Sequence, residues 1–339
     1  MKVFVTGAGA LLGQGIIKSL RLAETNYQIV AADPDPRAVG LYWADMAYLV
    51  PLAKDPTYVE KVCEILDKER PDAVLVGTDV ELLIFAQHKS KFESKYNTHV
   101  IVSPEEVIKI AEDKWLTYQF LSSNGFPCPR SVLPEGVNDL LNNCDFPLIV
   151  KPRSGARSIG LHKVNNMQEL EQAIAITEEP IIQEEVSTSD QEYTSGITMI
   201  DGKVEAIVTM RRDLRDGNTY RAYIEPQASF NPFLSEVAKK LNGFGSLNFQ
   251  FRTDGNVPKI FEINARFSGT TPLRAFAGYN EVDVILRHIV NGDEIPEVHL
   301  KPWIVLKYWS EILIDSDQVV KLESDGFSSA TKFKTGVQL

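Results

Sequence analysis

Ile260-Phe261-Glu262-Ile263-Asn264-Ala265-Arg266-Phe267-Ser268-Gly269 is an apolar run broken at alternate positions by a carboxylate and an amide, with an arginine two residues further on. Successive side chains of a strand point to opposite faces. Glu262 and Asn264 are therefore expected to project together while Phe261 and Ile263 bury. A hard cation such as Mg2+ takes carboxylate and amide oxygens from a protein, and a guanidinium close by suits a phosphate. The pattern predicts a metal–nucleotide site on one strand face.

The preceding segment extends this reading. Leu247-Asn248-Phe249-Gln250-Phe251-Arg252 alternates apolar and polar, and Thr253-Asp254-Gly255-Asn256 is a turn signal. A hairpin with Gln250 opposite Glu262 brings Asn248 opposite Asn264, so four oxygen-bearing side chains share one face. A slip of one residue would send one strand's polar set to the other side.

Bulk properties bound the alternatives. A chain of 339 residues exceeds the usual size of a single core, so two or three domains are expected. The net charge of −11 argues against a general nucleic-acid or anionic-membrane surface, while leaving room for a local basic pocket. Cys63, Cys128 and Cys144 are widely spaced and odd in number, which speaks against a disulfide framework or zinc knuckle. No apolar stretch has membrane-spanning length, and the first residues lack a charged and apolar leader pattern. A cytoplasmic protein is expected.

The first hundred residues alternate strand and helix: Lys2–Thr6, helical Leu11–Arg21, Gln28–Ala32, helical Tyr58–Lys68, Ala73–Val76, helical Val80–Phe92, then His99–Val102. That order implies a parallel sheet covered on both faces. Gly7-x-Gly9 with Gly13-x-Gly15, followed by Asp33, has the look of a dinucleotide turn. The spacing is GxGxxxG, and no tyrosine carries a lysine four residues on. Glycines at such a turn also let a helix pack close to a sheet, and that structural role is the expectation here.

From Ser103 onward the pattern changes. Pro104–Ala111 reads as a helix capped by Ser103 with Glu106 at the box position, and Asp113-Lys114 leads into helical Trp115–Ser122. Phe146–Pro152 is a strand holding Lys151 near its end, and the small-residue loop Arg153–Gly160 leads to the strand-like Leu161–Val164. Such a loop lets backbone N–H groups approach anionic oxygens. Pro180–Val186 reads as an edge-like strand before polar Ser187–Asp190, and Val204–Met210 as a strand before Arg211-Arg212-Asp213-Leu214-Arg215, a charge run expected to be solvated. Asn231–Gly243 is helical.

Taken in order, Asp113-Lys114, Phe146–Pro152, Ser154–Gly160, Ile181–Val186, Glu192-Tyr193, Asn248–Phe251 and Glu262–Arg266 resemble the ATP-grasp ligases. The likeness is closest to the nucleotide-binding half of carbamoyl phosphate synthetase and its single-unit relatives. It covers roughly residues 104–290, and the first domain resembles the family's pre-ATP-grasp domain. The resemblance implies an α/β and α+β chain in which a Rossmann-like pre-ATP-grasp domain (1–103) precedes a two-lobed ATP-grasp fold. The lobes would be 104–185, with the phosphate-loop lid, and 186–310, with the metal site, followed by a C-terminal tail, 311–339. Lys114 and Lys151 would contact ATP phosphates, and Ser154, Gly155, Ser158 and Gly160 would belong to the lid. Glu184 or Glu185, with the backbone to Val186, would read adenine, the choice between the two staying open; Glu192 would hold the ribose. Gln250, Glu262 and Asn264 would bind Mg2+ or Mn2+, and Arg266 would face the transferred phosphoryl group or the acyl phosphate.

The chemistry so implied is ADP-forming carbon–nitrogen ligation: a carboxylate is activated as an acyl phosphate, then an amine, or less often a thiol, displaces phosphate. Charge neutralisation and positioning dominate such transfers. The expected partners are a small carboxylate and an amine, neither nucleic acid nor membrane, and a homo-oligomer is compatible with this reading. A nucleotide-binding protein of the same fold without ligation is the first alternative, and an oxidoreductase using NAD(P) on the first domain is the second. Substrate selectivity is expected around Thr78-Asp79-Val80-Glu81 and Arg211–Glu225.

Overall fold

A computed structural model describes residues 1–155, 158–186, 192–226 and 228–329, together with the backbone of 334–335. The first hundred residues form β1 (Lys2–Val5), α1 (Leu11–Leu22), β2 (Gln28–Asp33), α2 (Val39–Tyr42), β3 (Met46–Leu49), α3 (Tyr58–Glu69), β4 (Ala73–Leu75), α4 (Asp79–Tyr96) and β5 (His99–Ile101). The strands are short, mainly apolar runs with polar residues only at their ends, as a sheet buried on both faces requires. They pair in parallel in the order β3-β2-β1-β4-β5. The order reverses between β1 and β4, which opens a crevice at their carboxyl ends.

The glycine-rich turn after β1 serves packing. A Cβ on Gly13 would lie 2.1 Å from the Gly7 carbonyl oxygen, so only glycine lets α1 start this close to the sheet. Asp33 closes the same turn by accepting from the Gly9 N–H at 2.7 Å and the Asp35 N–H at 3.0 Å. Its oxygens are committed to backbone.

Next come α5 (Glu105–Glu112), α6 (Lys114–Ser123), β6 (Ser131–Val132), α7 (Val137–Leu141), β7 (Leu148–Pro152), β8 (His162–Val164), α8 (Met167–Ile176) and β9 (Pro180–Glu184). Two expectations are corrected here. Ser103 does not cap α5, whose cap position is Pro104. Its buried hydroxyl instead accepts from the Phe244 N–H and donates to the Phe244 carbonyl, both at 3.0 Å. Nor is β9 an edge strand: in the antiparallel sheet β6-β9-β7-β8 it is interior, because two-residue β6 pairs with its outer side. This small lobe has its own core of Leu140, Leu148, Val150, Val164, Leu170, Ala173 and Ile182.

The larger lobe contains β10 (Glu192–Ile200), β11 (Lys203–Arg215), β12 (Asn218–Glu225), α9 (Asn231–Leu241), β13 (Gly245–Asp254), β14 (Val257–Asn264), α10 (Thr271–Phe276), α11 (Glu281–Asn291) and β15 (Ile304–Leu306). Its antiparallel sheet runs β14-β13-β10-β11-β12-β15. One apolar cluster passes from Phe4, Val74 and Val100 through Val107 and Ile108 to Phe249, Phe251 and Ile263. The first domain and the larger lobe thus share a core, which α5 and α6 enter, whereas the four-stranded sheet of the small lobe does not. The last segments are β16 (Ile312–Leu313), α12 (Ser316–Asp325), β17 (Phe327–Ser329) and β18 (Lys334–Thr335). Strand β17 adds antiparallel to β3, so part of the polar C-terminal stretch completes the first sheet.

The loop after Arg266 is fixed by a fully buried ion pair. Arg274 and Glu281 are 0% and 1% exposed and meet at 2.5 Å. Arg274 also donates to the hydroxyls of Thr270, Ser268 and Thr271. Gly196 makes room for it, since a Cβ there would lie 2.3 Å from the guanidinium carbon. Removing one partner of such a pair leaves an uncompensated buried charge. Glu281→Gln is expected to cost about 3 kcal/mol or more of unfolding free energy, measured by urea denaturation; a cost below about 1 kcal/mol would contradict the role given to this pair.

Candidate functional site

The hairpin β13–β14 has the anticipated register: Gln250 lies opposite Glu262 and Asn248 opposite Asn264. The local path differs from a regular ladder. The turn is tight, with Asp254 opposite Val257, and continuing that pairing would set Gln250 against Phe261. A bulge intervenes, so that Phe251 faces Ile260 and Gln250 faces Glu262, leaving Phe261 extra. Ile260 and Ile263 are both fully buried, while Phe261 is only partly buried. The expectation that Phe261 buries with Ile263 is therefore corrected. Its ring lies instead under the Lys151 ammonium, 5.6 Å from the centroid, a cation–π arrangement.

Glu262 is bracketed by amides. Gln250 Nε2 and Asn264 Nδ2 each donate to its Oε1 at 2.9 Å. Asn248, opposite Asn264, is buried and donates to the Thr194 hydroxyl and the Ser195 carbonyl. Among the described residues no group of three or more His, Cys, Asp or Glu side chains could hold a metal. The donor set is thus one carboxylate and flanking amides. A half-turn of the Asn264 amide would present its oxygen beside the same carboxylate. Such a sparse, hard donor set fits Mg2+, which keeps waters and takes further oxygens from a bound phosphate. Gln250 fits less directly, because its oxygen is held by Arg212 at 2.5 Å.

A cleft of about 390 Å³ lies against this strand, lined by Asp79, Glu112, Lys114, Ser154, Gly155, Glu262, Asn264 and Arg266 with Val80, Leu82, Ile108 and Ala111. It sits at the carboxyl end of β4, beside the point where the strand order of the first sheet reverses. Asp113 caps α6 by accepting from the Trp115 and Leu116 N–H groups and pairs with Arg153 across the lobe. That fixes Lys114 at the helix start, where its ammonium donates to the Arg153 and Gly155 carbonyls at 3.3 and 2.9 Å.

Lys151 stands just behind the cleft wall. It is 7% exposed, donates to Gln183 Oε1 at 2.9 Å, and meets no carboxylate directly among the described residues. Burial above all, with the Lys114 charge adding to it and Glu262 opposing both, brings its pKa down to about 8. Burial likewise lowers Lys114. Neither lysine has an ion-pair partner among the described residues, so both ammonium groups are open to an anionic ligand.

Arg212 was not singled out in the sequence. It extends β11, is 9% exposed on its side chain, and contacts Glu192 at 2.6 Å as well as Gln250. The expectation of a solvated charge run fails at this position, although Leu214 and Arg215 are exposed. A usable signal existed: Ala206, Val208 and Met210 are the buried alternates of the same strand, and Arg212 is next in that series. Arg252 closes the network by binding the other Glu192 oxygen at 2.9 Å.

The remaining candidates are dispersed. Arg266 reaches across to Asp79 of the first domain at 2.6 Å. Glu184 is held by Lys259 at 2.8 Å and Cys144 at 3.3 Å, and Glu185 pairs with Lys163. Val186 is buried and offers its carbonyl to Arg252 at 3.5 Å. Neither glutamate lines the cleft. Ser158 and Gly160 have positive φ and are exposed; Ala156 and Arg157 of the same loop, and Ser187–Gln191, lie outside the described residues. Glu81, expected near the pocket, is buried instead and accepts from Thr6, Thr78 and Tyr58 hydroxyls.

Comparison with known proteins agrees with this layout. Residues 3–101 match the family of PylC-like N-terminal domains and residues 111–270 match the ATP-grasp domain. The carbamoyl phosphate synthase large chain of Methanosarcina mazei is 23% identical over 330 residues, covering 88% of this chain. The chain spans only 30% of that relative's length. Among solved structures, N5-carboxyaminoimidazole ribonucleotide synthetase in its ADP complex superposes with a TM-score of 0.73 at 15% identity, over 90% of this chain and 81% of the other. The biotin carboxylase domain of the Hydrogenobacter thermophilus 2-oxoglutarate carboxylase, solved with MgADP and bicarbonate, gives 0.68 at 17% identity, over 87% and 70%. The chain is an ATP-grasp protein, with a PylC-like N-terminal domain in front of its ATP-grasp domain.

Proposed function

We propose that this protein is an ADP-forming ligase that activates a carboxylate as an acyl phosphate and joins it to an amine or, less often, a thiol. The observation that supports this most is the meeting, in and beside one cleft, of Glu262, Asn264, Lys114, Lys151 and Arg266. The first two suit a divalent cation and the other three suit anionic oxygens. Few other chemistries use a carboxylate–amide pair beside so much positive charge.

In this reading Glu262 and Asn264 hold Mg2+, and Gln250 joins them if Arg212 releases its oxygen. The ion, when bound, would screen the phosphates of ATP and polarise the transferred group. Lys114 and Lys151 bind phosphate oxygens; the loop Ser154–Gly160 covers them and excludes water from the acyl phosphate. Arg266 orients the carboxylate oxygen that attacks the terminal phosphorus. The oxygen–phosphorus bond to ADP breaks, and the incoming amine then displaces inorganic phosphate from the acyl carbon and loses a proton. Glu192, fastened by Arg212 and Arg252, keeps its oxygens oriented at the edge of the nucleotide site. Glu184, Glu185 and Val186 remain the proposed adenine side. A cytoplasmic setting suits this chemistry, and among the described residues no helix is long and apolar enough to cross a membrane.

Two measurements test the reading. Glu262→Gln should lower Mg-ATP-dependent ADP release at least about 100-fold with a carboxylate and amine mixture, while the circular dichroism spectrum stays that of the parent; undiminished ADP release would remove Glu262 from the site. Lys151 attracts phosphate only when protonated, and its pKa lies at about 8. Mg-ATP affinity by calorimetry should therefore fall as pH rises from about 7 to about 9, and Lys151→Met should flatten that dependence. A wild-type affinity independent of pH over this interval would contradict a phosphate role for Lys151.

A further inference from the structure

The cleft carries more negative charge on one wall than nucleotide binding uses. Asp79 and Glu112 both line it, on the side of the first domain and the helix that follows it. Asp79 is about half exposed and forms the 2.6 Å pair with Arg266. Glu112 is partly buried and forms no hydrogen bond or ion pair among the described residues. Burial raises its pKa, and the charge of Asp79 adds to the effect. Asp79 has its cation in Arg266, but Glu112, partly buried beside a second carboxylate, is unfavourably placed until a cation reaches it.

Resting on the ligase reading above, we propose that the substrate carboxylate belongs to an α-amino acid, whose ammonium is held by Asp79 and Glu112 while its carboxylate lies on Arg266. The geometry argues for this class. Standard bond lengths place the nitrogen and the nearer carboxylate oxygen of an α-amino acid about 3 Å apart. Asp79 and Arg266 present opposite charges at 2.6 Å. The two dipolar pairs can therefore meet head to tail, each charge of the ligand facing its opposite in the protein. A carboxylate without an amine would have to separate Asp79 from Arg266 and give nothing back to Asp79. Glu112 provides a second anion, which favours a cationic group over a neutral one. Val80, Leu82, Ile108 and Ala111 line the same cleft, so an aliphatic side chain suits the remaining space.

The test compares L-leucine with 4-methylpentanoate, which is the same acid without its amine. Binding is measured by calorimetry with Mg2+ and the β,γ-imido analogue of ATP. Leucine should bind at least about tenfold more tightly (about 1.4 kcal/mol). Glu112→Gln should reduce this preference to within about threefold, and Asp79→Asn should tighten 4-methylpentanoate while weakening leucine. That opposite movement is not what a purely structural defect gives, and circular dichroism checks the fold of both variants. Equal binding of the two acids, absence of binding by either, or a Glu112→Gln variant with undiminished preference would overturn the inference. The ligase reading fails separately: leucine binding with no ADP release from ATP, whatever amine is added, removes ligation and leaves the amino acid site standing.

Discussion

A single extra residue in β14 governs how this molecule presents its chemistry. Without the bulge at Phe261, the tight turn would carry the ladder on unchanged and set Gln250 against Phe261. With it, Ile260 and Ile263 both reach the shared core, although they are three residues apart. Glu262 and Asn264 reach the cleft. A regular strand cannot do both, because alternation assigns faces at intervals of two. The bulge reconciles a core that needs two isoleucines with a site that needs a carboxylate and an amide. Its displaced ring is then used under Lys151.

The charges around that strand are arranged in tiers. Glu192 is saturated by Arg212 and Arg252, and Gln250 connects this fixed network to Glu262. Among the described residues, Lys114 and Lys151 hydrogen-bond only to amide and carbonyl oxygens. Keeping two ammonium groups partly desolvated without carboxylate partners is unfavourable in the empty protein, which is why burial depresses both pKa values. An anionic ligand relieves that cost on binding. The small-lobe sheet that carries Lys151 has a separate core; the Asp113–Arg153 pair ties it to the start of α6, and the Glu184–Lys259 pair ties it to the larger lobe.

The order of strands and helices, the hairpin register and the family could be read from residues, because apolar periodicity and ligand-type side chains are local properties. What escaped depended on partners distant in sequence. The burial of Phe261 was misassigned since alternation takes no account of a bulge. Ser103 looks like a cap until Phe244, 141 residues away, takes its hydroxyl. Strand β9 looked like an edge because two-residue β6 is too short to show a pattern. Arg212 was hidden in a charge run. Asp79 stood in a region flagged for selectivity, but its pairing with Arg266 required the fold.

Two arginine–carboxylate pairs flank the same loop and illustrate opposite uses of one interaction. Arg274 and Glu281 are sealed from solvent, and every hydroxyl around them is engaged. Breaking that pair exposes no water to either partner, so it fixes Ser268–Thr271 permanently. Arg266 is only eight positions upstream of that arginine in the chain, yet its partner Asp79 is about half exposed. The Arg266 side chain is only 10% exposed, so its guanidinium needs an anion beside it, but Asp79 faces solvent and can yield that place to an anionic ligand. The sealed pair supplies a rigid support, and the open pair supplies two charges ready for a ligand. Such a division would let the site stay ordered when empty while keeping its guanidinium available.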